Sequence, residues 1–323
     1  MKKILSLAAA AALILNLTAC QSNGGGVSDG NAKKETVTLS ALDGTGAATT
    51  VQVPYDPQRI AVLDMAALDI LDSLGVGDRV VGTADSSLEY LQSYMDGSTA
   101  NLGTIKEADL EAVMACEPDV IFIGGRLASS YDALLEIAPV VYLVTDPELG
   151  VVESVGKNAE SIASLFGLEE KAREQMAGFA DRVAALADFS AGKTALVGMC
   201  TSGSFNVLGN DGRCSLIGRE AGFTNMGVDA QGNTSTHGNE ASFEFVVEKN
   251  PDYLVVLDRD AAIGIDGAQL ARDIMENELV KGTSAYQSGH LIYLAHPAVW
   301  YTAEGGLTAL DIMLSDLEGE LGL

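Results

Sequence analysis

The sequence predicts an α/β protein of two similar lobes, each built on a mostly parallel, Rossmann-like sheet, joined by a long interlobe helix. Three observations carry that expectation. Short apolar strands alternate with amphipathic helical runs along most of the chain. One helix–break–strand unit occurs twice, as ADLEAVMACEPDVIFIGGR (108–126) and ASFEFVVEKNPDYLVVLDR (241–259). The stretch 152–187 interrupts the rhythm, with no proline and an apolar face of Met176, Phe179, Val183 and Leu186.

The two copies align without a gap: Glu111 with Glu244, Val113 with Val246, Pro118 with Pro251, Asp119 with Asp252 and Arg126 with Arg259. A long-period repeat found once in each half indicates a duplicated lobe, because a solenoid needs several short repeats.

The elements follow in order. Residues 36–53 alternate between apolar and polar and are bounded by Gly and Pro, which predicts a hairpin. A short strand starts at Arg59, and 66–74 has helical spacing up to Gly75. Residues 79–82 read as a strand and 88–94 as a short helix. The first repeat copy adds a helix and the strand 120–123, a continuous apolar run of the kind buried in parallel sheets. Helix 131–137 and strand 140–144 complete the first lobe, assigned to 36–151. The linker, 152–190, reads as one long helix or two joined near Gly167. The second lobe, 191–323, holds strands at 194–198 and 205–208, a helix at 214–221 and the second repeat copy. A helix at 269–276, a strand at 291–294 and a terminal helix lined by Leu307, Leu310, Leu314 and Leu317 close the chain.

The 323 residues are 47% hydrophobic, and the net charge is −26 with only 19 basic side chains. Such an acidic chain is a poor partner for nucleic acid, and an anionic ligand needs arginines gathered locally. Lys2 and Lys3 precede an apolar run, 4–17, that is short for a bilayer span. The run ends in Leu17-Thr-Ala-Cys20, which resembles a bacterial lipoprotein cleavage box. The resemblance implies a signal peptide over 1–19 and a lipid on Cys20, anchoring the chain on the extracytoplasmic face of the cell membrane. Removing residues 1–19 takes away two lysines and moves the charge from −26 to −28. The Gly/Ser/Asn-rich segment 20–35 reads as a flexible tether. The other cysteines, Cys116, Cys200 and Cys214, are odd in number and read as buried free thiols, although Cys200 and Cys214 flank one loop.

Enzyme signatures are missing. Ser190-Ala-Gly-Lys-Thr194 ends like a phosphate loop but lacks the earlier glycine and precedes a strand rather than following one. There is no GxGxxG, GxSxG or nucleophile–base pattern, so the chain reads as a binding protein with no intrinsic cofactor. Three histidines, His237, His290 and His296, are few for a zinc or manganese centre. Arg126 and Arg259, repeated at two strand ends, sit where open α/β sheets bind ligands, and Arg213 follows a Gly-Asn-Asp-Gly turn. Guanidinium forks suit oxygen-rich anions, whereas a surface arginine commonly pairs with a neighbouring carboxylate such as Asp258 or Asp260. In Ala298-Val-Trp-Tyr301, an extended loop is expected, with Trp300 facing the core and Tyr301 the other way.

Over 36–323 the chain resembles the solute-binding lipoproteins of bacterial ABC importers, of the helix-linked type that carries ferric siderophores, haem and cobalamin. The runs 59–82, 101–126, 235–260 and VWYTAEGG (299–306) carry the likeness. Within that family it is most similar to the ferric catecholate-siderophore binders of the petrobactin and enterobactin-fragment type. The resemblance implies that Arg126, Arg213 and Arg259 neutralise a ferric catecholate. It further implies that His237 and Tyr301 fill two positions on the iron left open by two catechol arms. The turn Gly209-Asn-Asp-Gly-Arg213 and the polar Thr302-Ala-Glu-Gly-Gly depart from the family's pattern.

The partners it implies are an Fe(III)-siderophore and an ABC permease, engaged by a monomer. Docking carboxylates are expected at Glu244 in the second lobe and at Asp69, or a neighbour in the 64–72 helix, in the first. Glu111 is the remaining candidate. Haem or a cobalamin-like ligand, and then zinc or manganese, are the alternative cargoes.

Overall fold

The computed structural model describes residues 35–227 and 238–323, so Cys20 and His237 lie outside the described residues. An antiparallel hairpin, β1 (Thr36–Leu42) with β2 (Ala48–Pro54), opens the fold. The first half continues with β3 (Ile60–Val62), α1 (Met65–Ser73), β4 (Val80–Thr83) and β5 (Ala100–Asn101). A two-rung ladder, β6 (Gly103–Thr104) with β7 (Glu107–Ala108), precedes α2 (Leu110–Ala115), β8 (Val120–Ile123), α3 (Tyr131–Leu135) and β9 (Val140–Tyr142). The sheet order is β5-β4-β3-β8-β9, parallel at every pairing.

The second half holds β10 (Thr194–Thr201), β11 (Ser204–Val207), β12 (Thr224–Asn225), β13 (Asn239–Glu240), β14 (Tyr253–Asp258) and β15 (Leu291–Tyr293). Their order is β13-β11-β10-β14-β15, with β12 also beside β10. Pairings to β12, β14 and β15 are parallel; those at β11 and β13 are antiparallel. Every residue of β8, and the first five of β14, is buried. Leu254 and Val256 face one apolar cluster while Tyr253, Val255 and Leu257 face the other. Burial on both faces is why these strands read as unbroken apolar runs.

Between the halves run α4 (Val151–Ser164), α5 (Glu169–Ala177) and α6 (Phe179–Ser190). The expected long connection is therefore helical but interrupted twice. Gly167 takes a left-handed φ of +68°, which ends one helix, and Gly178 interrupts the next by a single residue. The remaining helices are α7 (Ser215–Arg219), α8 (Phe243–Lys249), α9 (Arg259–Ala262), α10 (Ala271–Met275), α11 (Glu278–Lys281), α12 (Ser284–Gln287), α13 (Pro297–Thr302) and α14 (Leu307–Leu321).

The sequence repeat is a structural repeat down to single hydrogen bonds. Asp109 caps α2 by accepting from Ala112 N–H, and Ser242 caps α8 by accepting from Phe245 N–H. Each helix then leads through a left-handed residue, Glu117 (φ +44°) or Asn250 (φ +41°). Asp119 accepts from the N–H groups of Gln58 and Arg59, at the start of β3. Asp252 accepts from Thr194 N–H and hydroxyl, at the start of β10. The Pro-Asp break is thus a clamp that holds the two central strands of each sheet in register.

Asp69, expected as a docking carboxylate, is buried rather than presented at the surface. Its side chain is fully buried in α1 and accepts from Thr308 N–H and Ala309 N–H, both at 2.8 Å, from Tyr90 Oη at 2.8 Å and from Ser73 Oγ at 3.2 Å. Helix α14 has no side-chain cap of its own, because its N-cap is Gly306. A Cβ at Gly306 would collide with the Asp69 carboxylate, which explains the second glycine of the Glu-Gly-Gly run. Asp69 is the missing cap, delivered from α1. The exposed carboxylates at matching places are Glu111, in the first turn of α2, and Glu244, in the first turn of α8.

Cys116, Cys200 and Cys214 are free and buried. Among the described residues, no helix is long and apolar enough to cross a membrane.

Candidate functional site

Four of the predicted site residues converge at one point. Arg126 follows β8 in a 3-10 turn, Gly125–Ser130. Its Nη2 donates to the Tyr301 carbonyl at 2.9 Å, and its guanidinium lies 5.4 Å from the Tyr301 ring centroid. Gly124 lets the chain pass the Asp64 carboxylate, where a Cβ would collide. Arg259, the repeat partner of Arg126, opens α9; its Nε donates to the Tyr301 hydroxyl at 3.1 Å. Its Nη1 reaches Asp260 Oδ1 at 3.0 Å and Thr201 Oγ1 at 3.1 Å. Asp260 is thus a real partner, whereas Asp258 instead caps α9 and takes Ala271 N–H. Arg213 is packed against the same ring, 4.3 Å from its centroid.

Tyr301 is 3% exposed and sits on α13, not in the extended loop expected from the sequence. Pro297 starts that helix. Neighbours on a helix point about 100° apart rather than oppositely, so Trp300 and Tyr301 are both buried. Trp300 donates Nε1–H to Asp316 Oδ2 at 2.9 Å.

The electrostatics follow from this geometry. Burial acts to raise the Tyr301 phenol, but the Arg259 hydrogen bond and the charges of Arg213, Arg259 and Arg126 outweigh it and hold the phenol below its ordinary value. Burial, with Arg126 adding to it, pulls Arg213 below the usual arginine range. The ring's negative face offsets part of the cost of gathering three guanidiniums. Such a cluster can stabilise a phenolate or any oxygen-rich anion laid against it.

Tyr301 and Thr302 also separate two cavities. Toward the gap between the halves lies a pocket of ≈350 Å³ lined by Met65, Asp85, Ser87, Lys106, Ala262 and Ile263. Ser87 Oγ donates across it to the Ala262 carbonyl at 3.3 Å. Behind Tyr301 lies a smaller space of ≈160 Å³ where Asp64, Arg126, Arg213 and Glu304 meet. Lys106, Asp64 and Glu304 were missed by sequence reasoning. Lys106 had a signal, as one of few basic residues and inside a matched run; Glu304 belongs to the unusually polar end of the final motif.

The other histidines stand apart. His290 stacks on Tyr253 at 4.3 Å, and His296 Nδ1 meets Asp316 Oδ1 at 2.6 Å. Among the described residues no group of three or more His, Cys, Asp or Glu is arranged to hold a metal.

Known proteins share this architecture. Residues 60–298 match the family model described as periplasmic binding protein. The chain is 33% identical to petrobactin-binding protein YclQ of Bacillus subtilis over 325 residues, 99% of each chain. The crystal structure of YclQ superposes with a TM-score of 0.82, covering 90% of this chain and 100% of that one. Ferric-anguibactin-binding protein FatB of Vibrio anguillarum is 28% identical, with 81% of each chain covered. The catecholate-siderophore binding protein VctP of Vibrio cholerae matches with a TM-score of 0.79 at 29% identity, over 88% of this chain and 100% of that one. By family match and by full-length identity, this chain is a member of the two-lobed periplasmic binding proteins.

Proposed function

We propose that the protein is an extracytoplasmic binding lipoprotein that captures a ferric catecholate siderophore between its lobes and delivers it to an ABC importer for iron uptake. The observation that carries this is the convergence of Arg126, Arg213 and Arg259 on one buried tyrosine, in a chain whose net charge is −26. Positive charge concentrated against such a background selects an anionic ligand. A tyrosine whose phenol is held low by arginines is suited to a hard ferric ion. YclQ, FatB and VctP are named for siderophores, two of them explicitly ferric or catecholate, which supports the same reading.

In this account Tyr301 and His237 complete the coordination of the iron, the substrate's own metal, while the arginines neutralise the complex. Lys106 adds a fourth cation at the cleft pocket. Cys20 carries the lipid, 1–19 is the signal peptide and 20–35 the tether. The lobes span 36–151 and 191–323, with 152–190 between them. Glu111 and Glu244, exposed at matching helix starts, replace the pairing with Asp69 as the docking carboxylates toward the permease.

The test is a titration of the mature chain with a ferric bis-catecholate. Quenching of Trp300, the sole tryptophan, together with a shifted charge-transfer band supports the proposal. Absence of both, or an intense Soret band from haem in the purified protein, overturns it.

A further inference from the structure

The space behind Tyr301 holds two carboxyl groups that the binding account does not use. Asp64 and Glu304 keep some accessible surface, and both line this cavity, together with Arg126 and Arg213. The same two cations also lie against the Tyr301 ring. They are therefore shared between an inner pair of acids and whatever anion occupies the cleft.

The two acids differ in what holds their charge. Burial pushes the Asp64 carboxyl up as well, but as the N-cap of α1 it accepts from Ala67 N–H at 3.0 Å and has Arg126 nearby, and both offset part of that rise. Glu304 accepts one N–H, from Cys214 at 3.0 Å, the residue directly after Arg213. Beyond that it faces Arg213 as a favourable charge and Glu220, at the end of α7, as an unfavourable one. The Cys214 thiol is kept protonated by burial, and Arg126, Asp64 and Tyr301 complete its ionisable surroundings among the described residues. Burial pushes the Glu304 carboxyl up to about 7, so its charge rests mainly on one hydrogen bond and on Arg213.

An anion bound in front of Tyr301 draws on the same guanidiniums and adds negative charge to the site. Both effects disfavour a carboxylate behind them. We infer that Glu304 takes up a proton when the anionic ligand binds, so that the site balances the incoming charge by protonation. This rests on reading the cleft as an anion site. One proton moves from solvent to the carboxylate, giving a neutral carboxylic acid, and no electrons transfer. The inner cavity shares Leu143, Val144 and Asn158 with a surface pocket of ≈450 Å³ bounded by the β1–β2 hairpin and α4.

The experiment is calorimetric titration of the mature chain with a ferric bis-catecholate near pH 8, in two buffers of different protonation enthalpy. Comparison with Glu304→Gln cancels protons exchanged by the ligand itself. The wild type should take up nearly one proton more per complex than the variant, because a group titrating near 7 is about nine-tenths ionised at that pH. Equal proton uptake by the two proteins overturns the inference. Binding by neither chain overturns the anion-site reading itself, and this inference with it. Should Glu304→Gln not fold, ligand-minus-free infrared difference spectra of Asp64→Asn decide: a new protonated-carboxyl stretch in that variant supports the inference, and its absence overturns it.

Discussion

Arg259 donates from Nε to the Tyr301 hydroxyl at 3.1 Å, while Arg126, its counterpart in the other repeat copy, donates to the Tyr301 carbonyl at 2.9 Å. One tyrosine thereby joins the ends of two duplicated strands. Arg259 should matter most for the phenol and Arg126 for its placement. Replacing Arg259 with Gln should raise the Tyr301 phenol and weaken binding of a ferric bis-catecholate about 10- to 100-fold, the usual worth of a charge-assisted hydrogen bond. Trp300 quenching measures it. Unchanged affinity would remove Arg259 from the site.

The capping role of Asp69 predicts a stability defect instead. Asp69→Ala strips acceptors from Thr308 N–H, Ala309 N–H and Tyr90 Oη, all in its buried surroundings. The expected loss is about 3–5 kcal/mol in denaturant unfolding, since each orphaned donor costs about 1–3 kcal/mol. Glu111→Ala and Glu244→Ala, both at exposed positions, should stay within about 0.5 kcal/mol of wild type. In iron-starved cells those two variants should lose siderophore uptake while the purified proteins keep their ligand affinity. Normal uptake in the double variant would move the docking surface elsewhere.

The repeated clamp predicts paired behaviour. Asp119→Ala takes the acceptor from the N–H groups of Gln58 and Arg59, just before β3, and Asp252→Ala takes it from the N–H and hydroxyl of Thr194, at the start of β10. These bonds are exposed and water can replace the acceptor, so each substitution should cost roughly 1 kcal/mol. A marked inequality between them would mean that the two lobes depend on the break differently.

The Glu304 carboxyl also sets a pH dependence. Its folded value, about 7, lies above its ordinary 4.5, so the folded chain binds that proton more tightly than the unfolded chain. Its contribution to stability is complete below about pH 4.5 and is lost as pH rises through about 7. The total is roughly 3 kcal/mol. Unfolding free energies measured near pH 5 and near pH 8 should fall in the wild type by this amount more than in Glu304→Gln. Parallel profiles would show that Glu304 titrates normally.

Much of this architecture was legible in the sequence because it rests on local patterns. The strands 120–123 and 253–258 announce themselves by unbroken apolar runs, and the duplicated Pro-Asp breaks mark the strand clamps. Arg126 and Arg259 stand out because they repeat, in a chain with few basic residues, and Arg213 because it follows a Gly-Asn-Asp-Gly turn. What failed depended on distant partners. Asp69 looks like a helix-face carboxylate until α14, some 240 positions later, places its free N–H groups on it. Glu304 gains its character from Cys214 and Arg213, 90 positions before it in the case of the hydrogen bond. Tyr301 was expected on an extended segment because the run reads as a loop entering the last helix, yet Pro297 starts a separate short helix there.

The central claim is that Tyr301, with His237, ligates the iron of a bound siderophore inside the ring of arginines. It is tested most directly by the charge-transfer band of a ferric bis-catecholate bound to the wild type and to a His237→Ala, Tyr301→Phe double variant. The account predicts that binding to the wild type shifts the band and that the shift disappears in the double variant. The same shift in both proteins would contradict it.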